Sequence, residues 1–496
     1  MFERVSPESV GISSESIIKY IDKIEQRGAI MHSLLIMRYG KTVTESYWAP
    51  FDENFCHRMY SQTKSFVAVA IGLLAEEGRL SLEDRISDIF PDKIDKEISV
   101  HLREQTIRQM LTMTTVGNPV NWFSDTNNPD RTHIYFNERK KAHPAGTVWE
   151  YDSAGSQVLS AVVERISGTS LLEYLRSRLF NRMGTFKTAE ILKTRNDDSW
   201  GDSALLCTTR DMASMGQLLL DGGVWEGERL ISEEFVKAAI SKQVDNKTNW
   251  FENCYSHGYG YQIWRTEQNG FSFLGMGDQI TIALPDRGLL FVCTADNQGT
   301  NDIVRNTIVN YFFDMIVEQI SDTSLPENRE AEERLAKRTA SLKLRSAEGM
   351  EDSPFRAEIN GVTYTCQPNP MGISEFSFSF SEDGATGSLR YVNGQGEKLL
   401  PFGVNHNVFG KFPELGYSNG HGGVRTTDGF TYNDAVSLAW LSEKKLIVVA
   451  QIIDRYFGIT SMVFAFRDEY VTAQFTRVGE DFLDKYAGEL WGIKKK

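Results

Sequence analysis

The chain has 496 residues, 41% of them hydrophobic and 24% charged, which excludes wholesale disorder and leaves room for about two to four domains. Acidic residues outnumber basic ones by 67 to 53, and a formal net charge of −14 argues against general binding to nucleic acid or anionic membrane. No apolar run approaches the roughly 18 residues of a membrane span, and the amino terminus lacks the basic-then-apolar pattern of a secretory signal. Cys56, Cys207, Cys254, Cys293 and Cys366 are scattered, with no CxxC pair, so neither a disulfide framework nor a metal site is expected. A reducing cytoplasm fits best.

In chain order, residues 14–27 have the spacing of an amphipathic helix. Residues 31–38 and 42–48 are β-rich runs around Tyr39-Gly40-Lys41, a hairpin signal. Residues 61–78 read as an almost wholly apolar helix stopped by Gly78. Residues 79–240 are mostly helical, with helical spacing in TIRQMLTM, SQVLSAVVERISG and RDMASMGQLLLDGG. Strand character returns at 259–265 and 271–295, where Pro285-Asp286-Arg287-Gly288 is a turn. Residues 301–320 carry a helical stripe with an N-cap candidate at its start. The stretch 326–354 is a charged linker helix with a solvated face. From 355 to 496 short strands divided by Gly, Asn and Asp predict a small barrel or sandwich.

The sharpest chemical signal is Ser61-Gln62-Thr63-Lys64, which opens the apolar helix. A serine hydroxyl is a poor nucleophile until a base takes its proton. A lysine three residues on along a helix shares its face, and burial disfavours its charged form, so it can accept that proton. A serine at a helix start also offers a free N–H to an oxyanion. The ordinary alternative is a capping serine and a snorkelling lysine. Two other SxxK matches, Ser16/Lys19 and Ser442/Lys445, lack an apolar helix and read as chance.

Tyr151-Asp152-Ser153 follows a Pro- and Gly-containing loop and enters a helix. A tyrosine beside a lysine relays protons; the alternative is a packing tyrosine, and the triplet recurs at Tyr391-Val392-Asn393 and Tyr417-Ser418-Asn419. Gly275-Met276-Gly277-Asp278-Gln279 enters a strand, where glycines let a ligand approach the backbone. A bulge or turn explains it equally well. Gly416-Tyr417-Ser418-Asn419-Gly420 matches a GxSxG elbow. It lacks a helix after it, and His421, the last histidine, stands too close behind it. Metalloprotease, P-loop and dinucleotide motifs are absent from the sequence.

In order, RMYSQTKSFVAVAIGLLAEEGRLSLEDRISDIFP (58–91), TIRQMLTMTT (106–115), HPAGTVWEYDSAGSQVLSAVVERISG (143–168), LLCTTRDMASMGQLLLDGGVWEGERLIS (205–232), YGYQIWR (259–265) and GMGDQ (275–279) resemble the serine β-lactamase and penicillin-binding-protein family. The branch they look most like is that of the class C β-lactamase-like esterases and amidases. The resemblance covers roughly residues 10–320.

It implies an α+β fold: an antiparallel β-sheet flanked by helices plus a helical subdomain, over 1–325. It implies Ser61 as nucleophile, Lys64 as general base and Tyr151 as proton relay. The N–H groups of Ser61 and Met276 would form the oxyanion hole between Gly275 and Gly277, and Ser153 stands where many members have asparagine. Family members that process penicillin carry Lys-Thr-Gly or Lys-Ser-Gly where this chain has Gly275-Met276-Gly277. The carboxylate of a β-lactam thereby loses its charge partner, with Arg265 the sequence candidate to replace it. Residues 355–496 resemble an appended lipocalin-like domain.

The expectation is a serine hydrolase acting without cofactor, through an acyl-enzyme, on a small-molecule ester or amide. Acyl transfer or β-lactam hydrolysis in the same site is the runner-up. From another class comes a non-catalytic ligand-binding protein on the same fold. Oligomeric state is not readable from the chain.

Overall fold

The computed structural model describes residues 2–119, 127–138, 143–247, 253–417 and 430–496. They form two compact units, one up to Lys343 and one from Leu344 onward. All five cysteines are free.

The first unit is built on a six-stranded sheet. Its strands are β1 (Met31–Arg38), β2 (Lys41–Tyr47), β3 (Trp264–Arg265), β4 (Phe271–Gly275), β5 (Gln279–Leu284) and β6 (Leu289–Ala295). They lie in the order β2-β1-β6-β5-β4-β3, every neighbouring pair antiparallel. Tyr39 and Gly40 both have positive φ, 52° and 72°, the signature of a tight two-residue hairpin turn whose twist suits the flanking strands. Of the strand expected over 259–265, Trp264–Arg265 joins the sheet, while Tyr259 makes isolated bridges to Val244 and Trp264.

Six helices matter to the site and its support: α1 (Ser14–Gln26), α2 (Thr63–Glu76), α3 (Ser153–Ser167), α4 (Thr209–Leu220), α5 (Ile303–Met315) and α6 (Arg329–Ala340). In α1, Ile17, Tyr20, Ile21 and Ile24 recur at i, i+3, i+4 and i+7, so one stripe is apolar. That stripe shares a core with Ile308 and Phe312 of α5 and with Leu34 and Ile36 of β1. Leu35 and Met37 point the other way, into a second core with Phe66 and Val67 of α2, Val158 of α3 and Leu218 of α4. Helices thus cover both faces of the sheet, and no face is left polar. The expected N-cap of α5 takes another role: Asp302 has φ 63° and makes no cap bond. Ala331 and Leu335 of α6 are buried, and Arg338 pairs with Asp22 of α1 at 2.8 Å, so the charged helix is solvated on part of its surface only.

The second unit is a closed barrel. Nine strands between Thr363 and Lys494 pair in a ring, closed where Gly396–Val404 runs parallel to Asn433–Ser442 through Gly403↔Ser437 and Val404↔Leu438. Val408–Lys411 adds a tenth strand outside the ring. Of the two all-β alternatives, closure selects the barrel. Aromatic rings fill its interior, with Phe378 against Phe464 at 5.0 Å and Phe376 against Phe464 at 5.1 Å.

Candidate active site

Ser61 sits in a single 3-10 turn, Tyr60–Gln62, that runs directly into α2. Three contacts hold this turn. Thr63 Oγ1 donates to the Tyr60 carbonyl at 2.6 Å, Met59 N–H donates to the Leu205 carbonyl at 2.8 Å, and Thr281 Oγ1 of β5 donates to Gln62 Oε1 at 2.8 Å. Tyr60 is left-handed at φ 46°, a conformation that costs a non-glycine residue about 1–3 kcal/mol. The Arg58 guanidinium packs over its ring at 4.5 Å and braces it.

Lys64 is one turn along the same helix and 1% exposed. Its Nζ donates to Ser61 Oγ at 2.9 Å and to the Asp202 carbonyl at 2.6 Å. The Asp202 carboxylate lies 3.9 Å from Nζ and 3.8 Å from Arg131. Burial pushes the Asp202 carboxyl up, and Lys64, Arg131 and Arg58 oppose that push.

Tyr151 precedes the N-cap of α3. The cap residue, Asp152, is buried and accepts from Gly155 N–H at 2.8 Å and from Thr115 Oγ1 at 2.6 Å, which fixes the entry of the chain. The Tyr151 ring lies 5.1 Å from Lys64 Nζ and stacks on Trp264 at 5.5 Å. Trp264 also meets Tyr255 at 5.3 Å and Tyr259 at 5.0 Å, and so forms the hub of an aromatic wall.

The end of β4 closes the site. A Cβ on Gly275 would lie 2.3 Å from the Met59 carbonyl oxygen, so only glycine lets this strand approach the turn that carries Ser61. The Gln279 amide pins the following turn, donating to the Met276 carbonyl at 2.9 Å and to the Ala295 carbonyl at 2.7 Å. Ser61 stands in the 3-10 turn and Met276 directly after the end of β4. Both residues line one cavity of about 300 Å³, together with Tyr151, Tyr255, Trp264, Leu274, Gly275 and Arg305. A larger cleft of about 810 Å³, among Phe2, Glu45, Arg210 and Trp225, contains none of the candidate residues.

The structure therefore brings Ser61, Lys64, Tyr151, Gly275 and Met276 together. Ser153, the first residue of α3, and Gly277, at φ 75° in the turn, do not line the cavity. Arg265 is corrected as the replacement cation: it donates to the Ile240 carbonyl and to Asn269, both at 2.7 Å, and is not in the cavity wall. The cation there is Arg305 of α5, which sequence reasoning missed along with Asp202, Tyr255 and Trp264. Of the decoys, Ser16/Lys19 lies along α1, and Ser442 faces Lys445 across a hairpin. Tyr391 and Asn393 donate to buried Glu414 in the barrel unit. Ser418, Asn419, Gly420 and His421 lie outside the described residues. Among the described residues no group of three or more His, Cys, Asp or Glu could hold a metal ion, and no helix is long and apolar enough to cross a membrane.

Residues 19–311, more than half of the chain, match the Beta-lactamase family, and the chain belongs to that family. It is a hydrolase of the β-lactamase fold. It is 23% identical over 291 residues to the 6-aminohexanoate-dimer hydrolase of Paenarthrobacter ureafaciens, covering 55% of this chain and 74% of that one. Among solved structures it is similar to EstCE1, a hydrolase with promiscuous acyltransferase activity (TM-score 0.51, 14% identity, 60% of this chain and 99% of that one). It is also similar to the D-amino acid amidase of Ochrobactrum anthropi (TM-score 0.50, 17% identity, 62% and 98%). At these identities the structural likenesses speak for the fold alone.

Proposed function

We propose that the chain is a serine hydrolase that cleaves an ester or small amide through an acyl-enzyme. The observation that carries this reading is the 2.9 Å contact between buried Lys64 Nζ and Ser61 Oγ, beside a cavity that Ser61, Tyr151 and Met276 line together. In this reading Lys64 takes the Ser61 proton as Oγ attacks the carbonyl carbon. The tetrahedral oxyanion is held by the N–H groups of Ser61 and Met276. The proton passes to the leaving group through Lys64 and Tyr151, and the C–O or C–N bond breaks. Water then attacks the acyl-enzyme by the same route and restores Ser61.

The name of the curated relative, 6-aminohexanoate-dimer hydrolase, supports hydrolysis of a small-molecule substrate. Gly275-Met276-Gly277 offers neither cation nor hydroxyl to a β-lactam carboxylate. A charge-assisted hydrogen bond contributes about 1.5–3 kcal/mol, so its absence costs about one to two orders of magnitude in rate. Short p-nitrophenyl esters should thus be cleaved with higher kcat/KM than nitrocefin on one preparation.

The test is labelling by a fluorophosphonate together with ester turnover. Both should vanish in Ser61→Ala while the far-UV circular dichroism is retained, since only one hydroxyl is lost. Labelling that persists at another serine, Ser418 in particular, would refute the assignment.

A further inference from the structure

The wall of the 300 Å³ cavity carries a charge cluster centred on Arg305. Arg305 is the one charged residue among those that line it. Its guanidinium is already engaged: Nε donates to Asp278 Oδ1 at 3.0 Å, Nη1 to Asp302 Oδ1 at 2.8 Å and Nη2 to the Gly275 carbonyl at 3.3 Å. The Tyr255 hydroxyl, from the same wall, donates to Asp302 Oδ2 at 2.7 Å and holds that carboxylate on the guanidinium. The Asp278 side chain is 4% exposed and that of Arg305 16%, so water screens this pair weakly, whereas Asp302 at 40% is partly in solvent. One cation between two carboxylates leaves the wall with a net charge of −1 when both acids are ionised. The remaining basic groups near the site, Lys64, Arg131 and Arg58, gather around the buried Asp202 carboxylate.

We propose that Asp278 and Asp302 determine substrate specificity by neutralising Arg305. The cavity then accepts uncharged acyl groups and rejects those that carry a carboxylate. The physical reason is that an incoming carboxylate finds no unpaired positive charge, and like charges in a water-poor cavity repel strongly. The apolar faces of Trp264, Leu274 and Met276 in the same wall suit an uncharged chain. This proposal rests on the assignment of Ser61 as nucleophile.

The test compares p-nitrophenyl hexanoate with the p-nitrophenyl monoester of adipic acid, which has the same six-carbon acyl chain and one carboxylate. Burial pushes the Asp278 carboxyl up to about 6, against the pull of Arg305, so the assay is run at pH 8, where it is ionised. The parent protein should prefer the hexanoate in kcat/KM by about tenfold or more. Asp302→Asn, a change at a half-exposed side chain, should shift this preference toward the adipate monoester by about tenfold, and Asp278→Asn should do the same from the buried side. Adding Arg305→Gln to Asp302→Asn should abolish the gain, because the freed cation is then absent.

An unchanged preference in Asp302→Asn that still turns over hexanoate would overturn the proposal. Ligand-observed NMR of hexanamide against the monoamide of adipic acid reads the same discrimination without turnover. Equal binding of the two by the parent would likewise overturn it. A protein that binds hexanamide selectively but is not labelled at Ser61 would refute the catalytic assignment and leave the filter standing.

Discussion

Lys64 shows what burial does at a single position. Its Nζ makes two short hydrogen bonds, to Ser61 Oγ and to the Asp202 carbonyl, in a place almost without water. Truncating it removes the only basic side chain within hydrogen-bond reach of Oγ among the described residues. Lys64→Ala should lower kcat by at least about 100-fold, the lower end of general-base effects; retention of more than a tenth of the rate, in steady-state ester assays, would require another base. His57 illustrates a different residue-scale effect. Its Nε2 lies 2.9 Å from His32 Nδ1, and burial pushes its pKa down to about 3. In the unfolded chain a histidine takes up its proton near pH 6.5. Between that value and about 3 the unfolded state holds a proton that folded His57 refuses, so stability falls as pH falls, by about 1.4 kcal/mol per pH unit. Urea midpoints should therefore decline from pH 6.5 toward pH 4, and His57→Gln should lessen the decline, the rest coming from His32, whose pKa burial also lowers.

At the scale of elements, the site depends on β4 meeting the 3-10 turn. Gly275 makes that contact because it has no Cβ to strike the Met59 carbonyl, which is backbone and cannot swing aside. Gly275→Ala should push β4 away from Ser61 and carry the Met276 N–H with it. A displacement of about 1 Å from reactive geometry costs about 100-fold in rate. The expected result is a matching loss in fluorophosphonate labelling and kcat, with the fold retained by circular dichroism. Helix α5 shows why a local cap rule failed. Asp302 has the right chemistry for an N-cap, but its carboxylate is held by Arg305 three residues on and by Tyr255, the latter a pairing across 47 residues that no local rule contains.

At the scale of the molecule, each unit has its own core. In the first, helices cover both sheet faces, so β1 is buried at all eight positions and its sequence lacks the polar alternation of a half-exposed strand. In the second, the ring of strands encloses phenylalanines packed edge to face and tilted. Phe378 is wholly buried there, with Phe376, Phe402 and Phe464 around it. Phe378→Ala should destabilise the barrel by about 3–5 kcal/mol through a cavity that rigid neighbouring strands cannot close. Thermal unfolding followed by near-UV circular dichroism checks this, with no change expected in fluorophosphonate labelling of folded protein.

The features legible in the sequence are those whose cause is local. The Ser61–Lys64 contact follows from three-residue spacing on a helix, the Tyr39-Gly40 turn from residues that tolerate positive φ, and the stripe of α1 from a 3.6-residue repeat. The family resemblance extended that reading to Tyr151 and Met276. Tertiary structure alone decided the rest. Trp264 and Arg305 come to the cavity of Ser61, and Asp202 to Lys64, from far along the chain, because packing of α2, α5 and the sheet brings them together. The choice of barrel over sandwich hangs on two parallel pairings, Gly403↔Ser437 and Val404↔Leu438, between segments more than 30 residues apart. Strand composition encodes alternation and turns, whereas ring closure depends on how accumulated twist returns the last strand to the first.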